Sequence, residues 1–181
     1  MTILNASWAK NWHRDWLPDR FPVPMQLDLG PFVLSPLTPK WNDTDYLAVM
    51  ANRDRLRHLF RPDDSWPTAD FCPGQNRNDL IWHEQEFFRR RSFAWVVQDD
   101  KRRYLGCAYL YPGRLESGTA EAFFWLNREH RDWQAGEAYL DRWLRDWLAF
   151  WPLKKVMFPG RDVPWENWAG AELRHYGEAC R

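Results

Sequence analysis

The stretch that most restricts how this chain can fold lies between residues 119 and 161. Within it Leu140, Trp143, Leu144, Trp147, Leu148 and Trp151 recur at steps of three and four, with Asp141, Arg142, Arg145 and Asp146 between them. This spacing predicts a helix over 136–151 with one apolar stripe and one charged face, the form a helix takes when it lies on a sheet. A strand is predicted before it at 120–126 and another after it at 155–158, the second running into Pro159-Gly160-Arg161.

The remaining elements supply the sheet and its other cover. Residues 27–37 read as a first strand, bent near Gly30-Pro31 and closed by Pro36 and Pro39. Asn42 or Thr44 then caps a helical run carrying Tyr46, Leu47, Val49 and Met50, which continues to Phe60 and stops at Pro62. Pro62, Pro67, Pro73 and Gly74 make 61–76 an irregular surface loop, after which Asn78 caps a helix to about Arg90. The basic triplet Arg89-Arg90-Arg91 falls in its last turn, where the helix dipole favours positive charge. Strands at 93–98 and 104–111 flank a charged turn and should pair antiparallel, and the strand at 120–126 extends them into a meander. Pro164 marks the first turn of a last helix bearing Trp165, Trp168, Ala169 and Leu173.

The predicted fold is therefore α+β or mixed α/β, a mostly antiparallel central sheet with helices on both faces. A chain of 181 residues can bury such a core as one domain. Residues 1–24, with Trp8, Trp12 and Trp16 at helical spacing before a proline-rich run, read as an amphipathic segment and linker ahead of a domain at 25–181. Its apolar stripe is expected to cover the domain.

Lysine plus arginine equals aspartate plus glutamate at 25 each, so net charge offers nothing to nucleic acid or an anionic membrane. No stretch of ~18 apolar residues suggests a membrane span, and the N-terminus has no secretory pattern. The three widely spaced cysteines, Cys72, Cys107 and Cys180, suggest neither a disulfide framework nor a zinc module, which fits the cytoplasm. No His-x-x-x-His, Cys-x-x-Cys or serine elbow occurs, so no metal site is expected. His13-Arg14-Asp15 and His130-Arg131-Asp132 echo a kinase catalytic loop, but no glycine-rich nucleotide loop accompanies them. Fourteen tryptophans are expected mainly to pack core and interfaces.

This order of elements, with Phe32-Val33-Leu34 ahead of the helical pair and Leu105-Gly106-Cys107-Ala108-Tyr109 after a charged hairpin, resembles the GCN5-related N-acetyltransferase superfamily over roughly 27–168. The ending Trp151-Pro152 and Pro159-Gly160-Arg161 is most similar to a divergent branch without a complete phosphate loop. The resemblance implies acetyl-coenzyme A as co-substrate, lying along Phe124, Trp125 and Leu126 where two strands splay. Its pyrophosphate would meet Arg131, Gln134, Ala135 and Gly136 at the following helix N-terminus, where free N–H donors and the dipole favour anions. Here the loop Arg131-Asp132-Trp133-Gln134-Ala135-Gly136 departs from the family pattern, with Gln134 where a central glycine is expected. A side chain at that position obstructs close backbone approach, and Asp132 and Glu137 add negative charge.

The chemistry implied is direct acetyl transfer to a small-molecule or peptide amine, for which a base and a proton donor to the leaving thiolate suffice. Glu121, an acid inside the strand and on one face with Phe123 and Trp125, is the candidate base; its alternative is a strand-edge glutamate facing water. Tyr111 and Tyr176 are candidate acids, and Tyr109 lines the acceptor side with Trp82, His83 and Glu84 on the preceding helix. Arg161 is a candidate for an anionic group, with stacking on Trp165 or pairing with Asp162 as its alternatives. Cys107 is expected to be inert core. A second reading is a non-catalytic binding domain using the tryptophan-rich surfaces at Trp8, Trp12, Trp16, Trp165 and Trp168. A homodimer is compatible with either.

Overall fold

The computed structural model describes residues 16–113 and 116–168. They form a six-stranded sheet in sequential order: β1 (Leu27–Leu29), β2 (Phe32–Pro36), β3 (Phe93–Gln98), β4 (Tyr104–Pro112), β5 (Thr119–Leu126) and β6 (Lys155–Met157). Neighbours pair antiparallel except β5 and β6, which are parallel and joined by a helix. Helices α1 (Asn42–Ala51), the single turn α2 (Arg53–Leu56), α3 (Pro73–Phe88) and α4 (Trp133–Leu148) cover it. The predicted α+β architecture is the one observed. Among the described residues no helix is long and apolar enough to cross a membrane.

Alternation along β5 explains the two-sided core. Ala120, Ala122, Phe124 and Leu126 join the cluster under α4, while Phe123 and Trp125 join the cluster under α1 and α3. All eight residues of β5 are buried, as expected for a strand covered on both faces. In α4, Leu140, Leu144 and Leu148 are buried with Trp151 beyond them, and Trp147 packs edge-on to Trp95 with ring centroids 5.5 Å apart. Trp143 departs from the predicted stripe and is 36% exposed, because its own neighbour Tyr139 fills the groove beside Phe32.

Three predicted boundaries are corrected. The bent strand at 27–37 is a hairpin, β1 and β2, turned at Gly30 with φ of +64° and Leu29 opposite Phe32. The helix predicted from Gly136 starts three residues earlier, at Trp133, and ends at Leu148. The helix predicted from Asn78 starts at Pro73, with proline in its first turn and Cys72 at the cap, whose N–H donates to Gln75 Oε1 at 2.9 Å. Part of the expected loop is therefore helical.

A bulge in β4 sets up the interior of the site. Val97 pairs with Gly106 but Gln98 pairs with Tyr104, so Leu105 is the extra residue. Leu105 consequently faces the α4 cluster with Ala108 and Leu110, and Tyr104 turns to the opposite face with Cys107. Glycine at 106 is required by close approach, since a Cβ there would lie 2.1 Å from the Trp125 carbonyl oxygen.

Trp16, the described member of the N-terminal tryptophan series, is buried against Phe93 and donates from Nε1 to Arg90 O at 3.4 Å. Trp8 and Trp12 lie outside the described residues.

Helix α4 provides a direct test of where packing energy resides. Leu140→Ala is expected to cost roughly 3 kcal/mol of stability and Trp143→Ala less than about 1 kcal/mol, read by urea unfolding; equal losses would contradict the burial described here.

Candidate functional site

β5 and β6 remain paired only from Thr119 to Glu121, opposite Lys155 to Met157. Beyond that point the two strands separate, and the β5 edge from 122 to 126 is served by side chains in place of a strand. Glu137, in the second turn of α4, accepts the Leu126 N–H on Oε1 at 2.9 Å. The same oxygen accepts from Arg55 Nη2 at 2.7 Å, while Arg55 Nη1 donates to Leu126 O at 2.9 Å. Arg55 also lies over the Trp133 ring at 3.8 Å. Arg161 closes the other side, its guanidinium 3.8 Å over the Phe124 ring, with Nη2 donating to Phe124 O at 3.4 Å and lying 3.6 Å from Glu137 Oε2.

Asn52 ties this clasp to the rest of the fold. Fully buried between α1 and α2, it donates to Ala48 O and Asn127 Oδ1 and accepts from the Arg128 N–H and from Arg55. The turn after β5 is thereby held against α2. A buried side chain with every polar group bonded is stiff and costly to disturb.

The predicted loop residues are divided between solvent and the contact of helix with sheet. Arg131 points into solvent and sits 3.8 Å from Asp132, while Gln134 and Ala135 are exposed. Gly136 faces the sheet, where a Cβ would meet Leu126 Cδ1 at 2.9 Å, so glycine there allows helix and strand to approach. Asp132 caps α4 in the left-handed region, with φ of 61°, and makes no side-chain capping bond. Arg161 takes neither of its predicted alternatives: Asp162 pairs with Arg145 at 3.1 Å, and Trp165 covers Gly160. Phe124 and Leu126 face α4, while Trp125 faces the opposite side.

On that opposite side the fold gathers most of the other predicted residues. Glu121 is 1% exposed, directly across the strand pair from Tyr111, so the alternative of a solvent-facing edge glutamate is excluded. Tyr109 and Tyr111 share the face, with ring centroids 6.1 Å apart, and Phe60 packs on both and on Phe123. His83 reaches the cluster from α3 and stacks 5.5 Å from Tyr109. Trp82 is half-buried beside it, and Glu84 is partly exposed. Tyr176 lies outside the described residues.

The structure adds two acids for which the sequence showed no sign. Asp79, on α3 one turn before His83, is 2% exposed, and neither carboxylate oxygen has a hydrogen-bond partner among the described residues. Burial, then the charge of Asp45, pushes its pKa up to about 7. Asp45 on α1 is buried too, and its carboxyl accepts from the Tyr104 hydroxyl at 2.6 Å. Burial raises Asp45 as well. His83 Nδ1 is likewise buried without a partner, and burial lowers its pKa to about 3, so the imidazole is neutral. Burial keeps Tyr109 and Tyr111 protonated, and the Asp79 charge adds to the effect on Tyr111. Cys107 is buried with its thiol pushed well up, an unreactive form.

Asp79 and His83 pull stability in opposite directions. The raised pKa of Asp79 makes its contribution full below its ordinary value of 3.8 and lost as pH rises toward 7. The lowered pKa of His83 makes its contribution full above 6.5 and lost as pH falls toward 3. Between pH 4 and 6.5 the two largely cancel. Asp79→Asn should unmask His83, so that the variant gains up to ~4 kcal/mol over the parent between pH 4 and pH 7.5. Urea unfolding at both pH values checks this; a pH-independent difference would show that Asp79 does not titrate in the fold.

No family model and no curated protein matches the sequence. Among solved structures the fold is similar to many chains, and three acetyltransferases illustrate the likeness. The microcin C7 self-immunity acetyltransferase MccE, in complex with acetyl-CoA and AMP, has TM-score 0.58 and 10% identity over 84% of this chain and 82% of that one. RimL, a ribosomal L7/L12 alpha-N-protein acetyltransferase in complex with coenzyme A, has TM-score 0.55 and 13% identity over 68% and 67%. A ribosomal-protein-S5-alanine acetyltransferase from Vibrio fischeri has TM-score 0.53 and 14% identity over 84% and 82%. The sequential sheet, the splayed β5 and β6, and the helix between them give this chain the GCN5-related N-acetyltransferase fold.

Proposed function

We propose that the protein is an N-acetyltransferase that passes the acetyl group of acetyl-coenzyme A directly to a small-molecule or peptide amine. The observation that carries this reading is the divergence of β5 from β6 beside the start of α4, in a fold shared with acetyltransferases that hold coenzyme A or acetyl-CoA.

The edge of β5 fits an extended, anionic co-substrate on its positive side. Arg55, Arg161 and the α4 N-terminus converge there, a combination suited to phosphate. Glu137 is opposed to it, because its carboxylate holds both arginines and the Leu126 N–H. Acetyl-coenzyme A therefore requires the Glu137 side chain to turn away. Bound there, the co-substrate supplies a thioester.

The residues around the acceptor would then act as follows. The amine nitrogen attacks the acetyl carbonyl, the C–N bond forms, and the C–S bond breaks. Glu121 takes the proton lost by the amine, directly or through water, and Tyr111, kept protonated by burial, donates to the thiolate. Tyr109 and His83 wall the acceptor side. A second reading, a binding domain without catalysis, is favoured by the same clasp, since Glu137, Arg55 and Arg161 already satisfy the polar groups of Phe124 and Leu126.

Calorimetry with acetyl-coenzyme A separates the two. Saturating ligand at a hundredfold excess over its Kd should stabilise the protein by ~2.7 kcal/mol, and Glu137→Gln should tighten binding about tenfold by weakening the hold on both arginines. Glu121→Gln is expected to lower turnover by about 10²-fold or more with affinity for acetyl-coenzyme A unchanged. No heat at millimolar ligand with either the parent or Glu137→Gln would discard the transferase reading.

A further inference from the structure

Among the described residues the buried carboxylates are Asp45, Asp79, Glu86, Asp99 and Glu121; Glu86 and Asp99 pair with Arg91 and Arg103, whereas Asp45 and Asp79 lie where α1 and α3 meet the sheet. These last two acids differ in their bonding. Asp45 accepts from Tyr104, whereas Asp79 and, one turn later on the same helix face, His83 Nδ1 have no partner among the described residues. A buried carboxylate offers lone pairs, as does His83 Nδ1 in the tautomer with the proton on Nε2, and leaving both unbonded costs more than most single interactions return. A ligand that bonds both must donate, and one that also offsets the carboxylate must be a cation.

The wall around them is aromatic. His83 lies against Tyr109, the charge of Asp79 reaches Tyr111, and Phe60 covers both tyrosines and Phe123. Ring faces attract a desolvated cation, and they do so more strongly away from water. Phe60, Trp66 and Phe71 all belong to the connection between α2 and α3, which covers this part of the sheet.

We infer that Asp79 and His83 form the seat of a primary ammonium group, Asp79 as counter-ion and His83 Nδ1 as acceptor of one ammonium N–H, with the ring wall holding an aryl or alkyl body. The reading of this amine as the acetyl acceptor rests on the transferase proposal; its binding does not. Asp79 is a positioning residue here, and the acceptor class is a monocationic amine with an apolar body. Among the described residues the titratable groups buried on the elements around Asp79 are Asp45 on α1, His83 on α3, Cys107, Tyr109 and Tyr111 on β4 and Glu121 on β5; the charge of Asp45 acts on Asp79, and that of Asp79 on Tyr111. Burial pushes the Asp79 carboxyl up to about 7, so a cation seated on it competes with its proton.

The test uses 2-phenylethylammonium and its neutral analogue 2-phenylethanol, titrated calorimetrically without any acetyl donor. The full chain should bind the ammonium at least tenfold more tightly than the alcohol at pH 8, with affinity falling about tenfold per pH unit below pH 7. Asp79→Asn should lose at least tenfold in affinity at pH 8 and flatten the pH profile, and Asp79→Leu, which removes the buried polar group altogether, guards against a folding defect in the first variant. Equal affinity for amine and alcohol, or an unchanged pH profile in Asp79→Asn, overturns the inference. So does a crystal structure in which one fixed water bonds both Asp79 and His83 with and without the amine. Failure of the transferase reading looks different: amine binding that depends on Asp79, with no heat from acetyl-coenzyme A.

Discussion

Strand β5 has no face exposed to water, and much of the molecule follows from that constraint. Its even-numbered residues must meet α4 and its odd-numbered residues must meet α1, α3 and the connection before α3. A strand in this position carries apolar side chains at every site but Thr119, whose hydroxyl donates to Glu116 O, and one other. Glu121 is that other, and the alternation that puts Phe123 and Trp125 inside also places it inside, across from Tyr111. The cost of burying a carboxylate is large unless it is bonded, paired or protonated. The same strand loses its parallel neighbour after Glu121, so the polar backbone groups at 124 and 126 need other partners.

Charge is partitioned by this geometry although the net charge of the chain is zero. Cations stand at the open edge of β5, where Arg55 and Arg161 share Glu137 and cover aromatic rings. Acids stand in the interior on the other face. The β4 bulge contributes to that interior by turning Tyr104 toward Asp45 and Cys107, which satisfies one acid and leaves Asp79 to find a partner elsewhere. An anionic co-substrate at the edge and a cationic acceptor in the interior would each meet the complementary sign.

Residue-level patterns located much of this, and their failures have identifiable causes. Glu121, Tyr109 and Tyr111 were legible because period-two alternation is local. Asp79 was not, because the sequence places a helix start at Asn78, where an acid would sit among free N–H donors and need no comment. Starting α3 at Pro73 instead moves Asp79 to the second turn, where those donors are already used within the helix. Arg55 had no signal either, since its partners Leu126 and Glu137 lie 71 and 82 residues away. Periodicity places Trp143 on the buried stripe because it counts turns and does not see Tyr139 packed between Phe32 and Trp143.

The sequence by itself determined the order of strands and helices, the two-sided burial of the sheet and the face on which Glu121 lies, since these depend on periodicity and on residues close together in the chain. Tertiary structure alone decided which polar groups share an environment. It spread the residues from 131 to 136 between solvent and the helix–sheet contact, placed Glu137 and two distant arginines on the strand edge, and left the Asp79 carboxylate and His83 Nδ1 without hydrogen-bond partners among the described residues. Bonding and burial of a side chain depend on what the rest of the chain brings to it, and no local pattern carries that information.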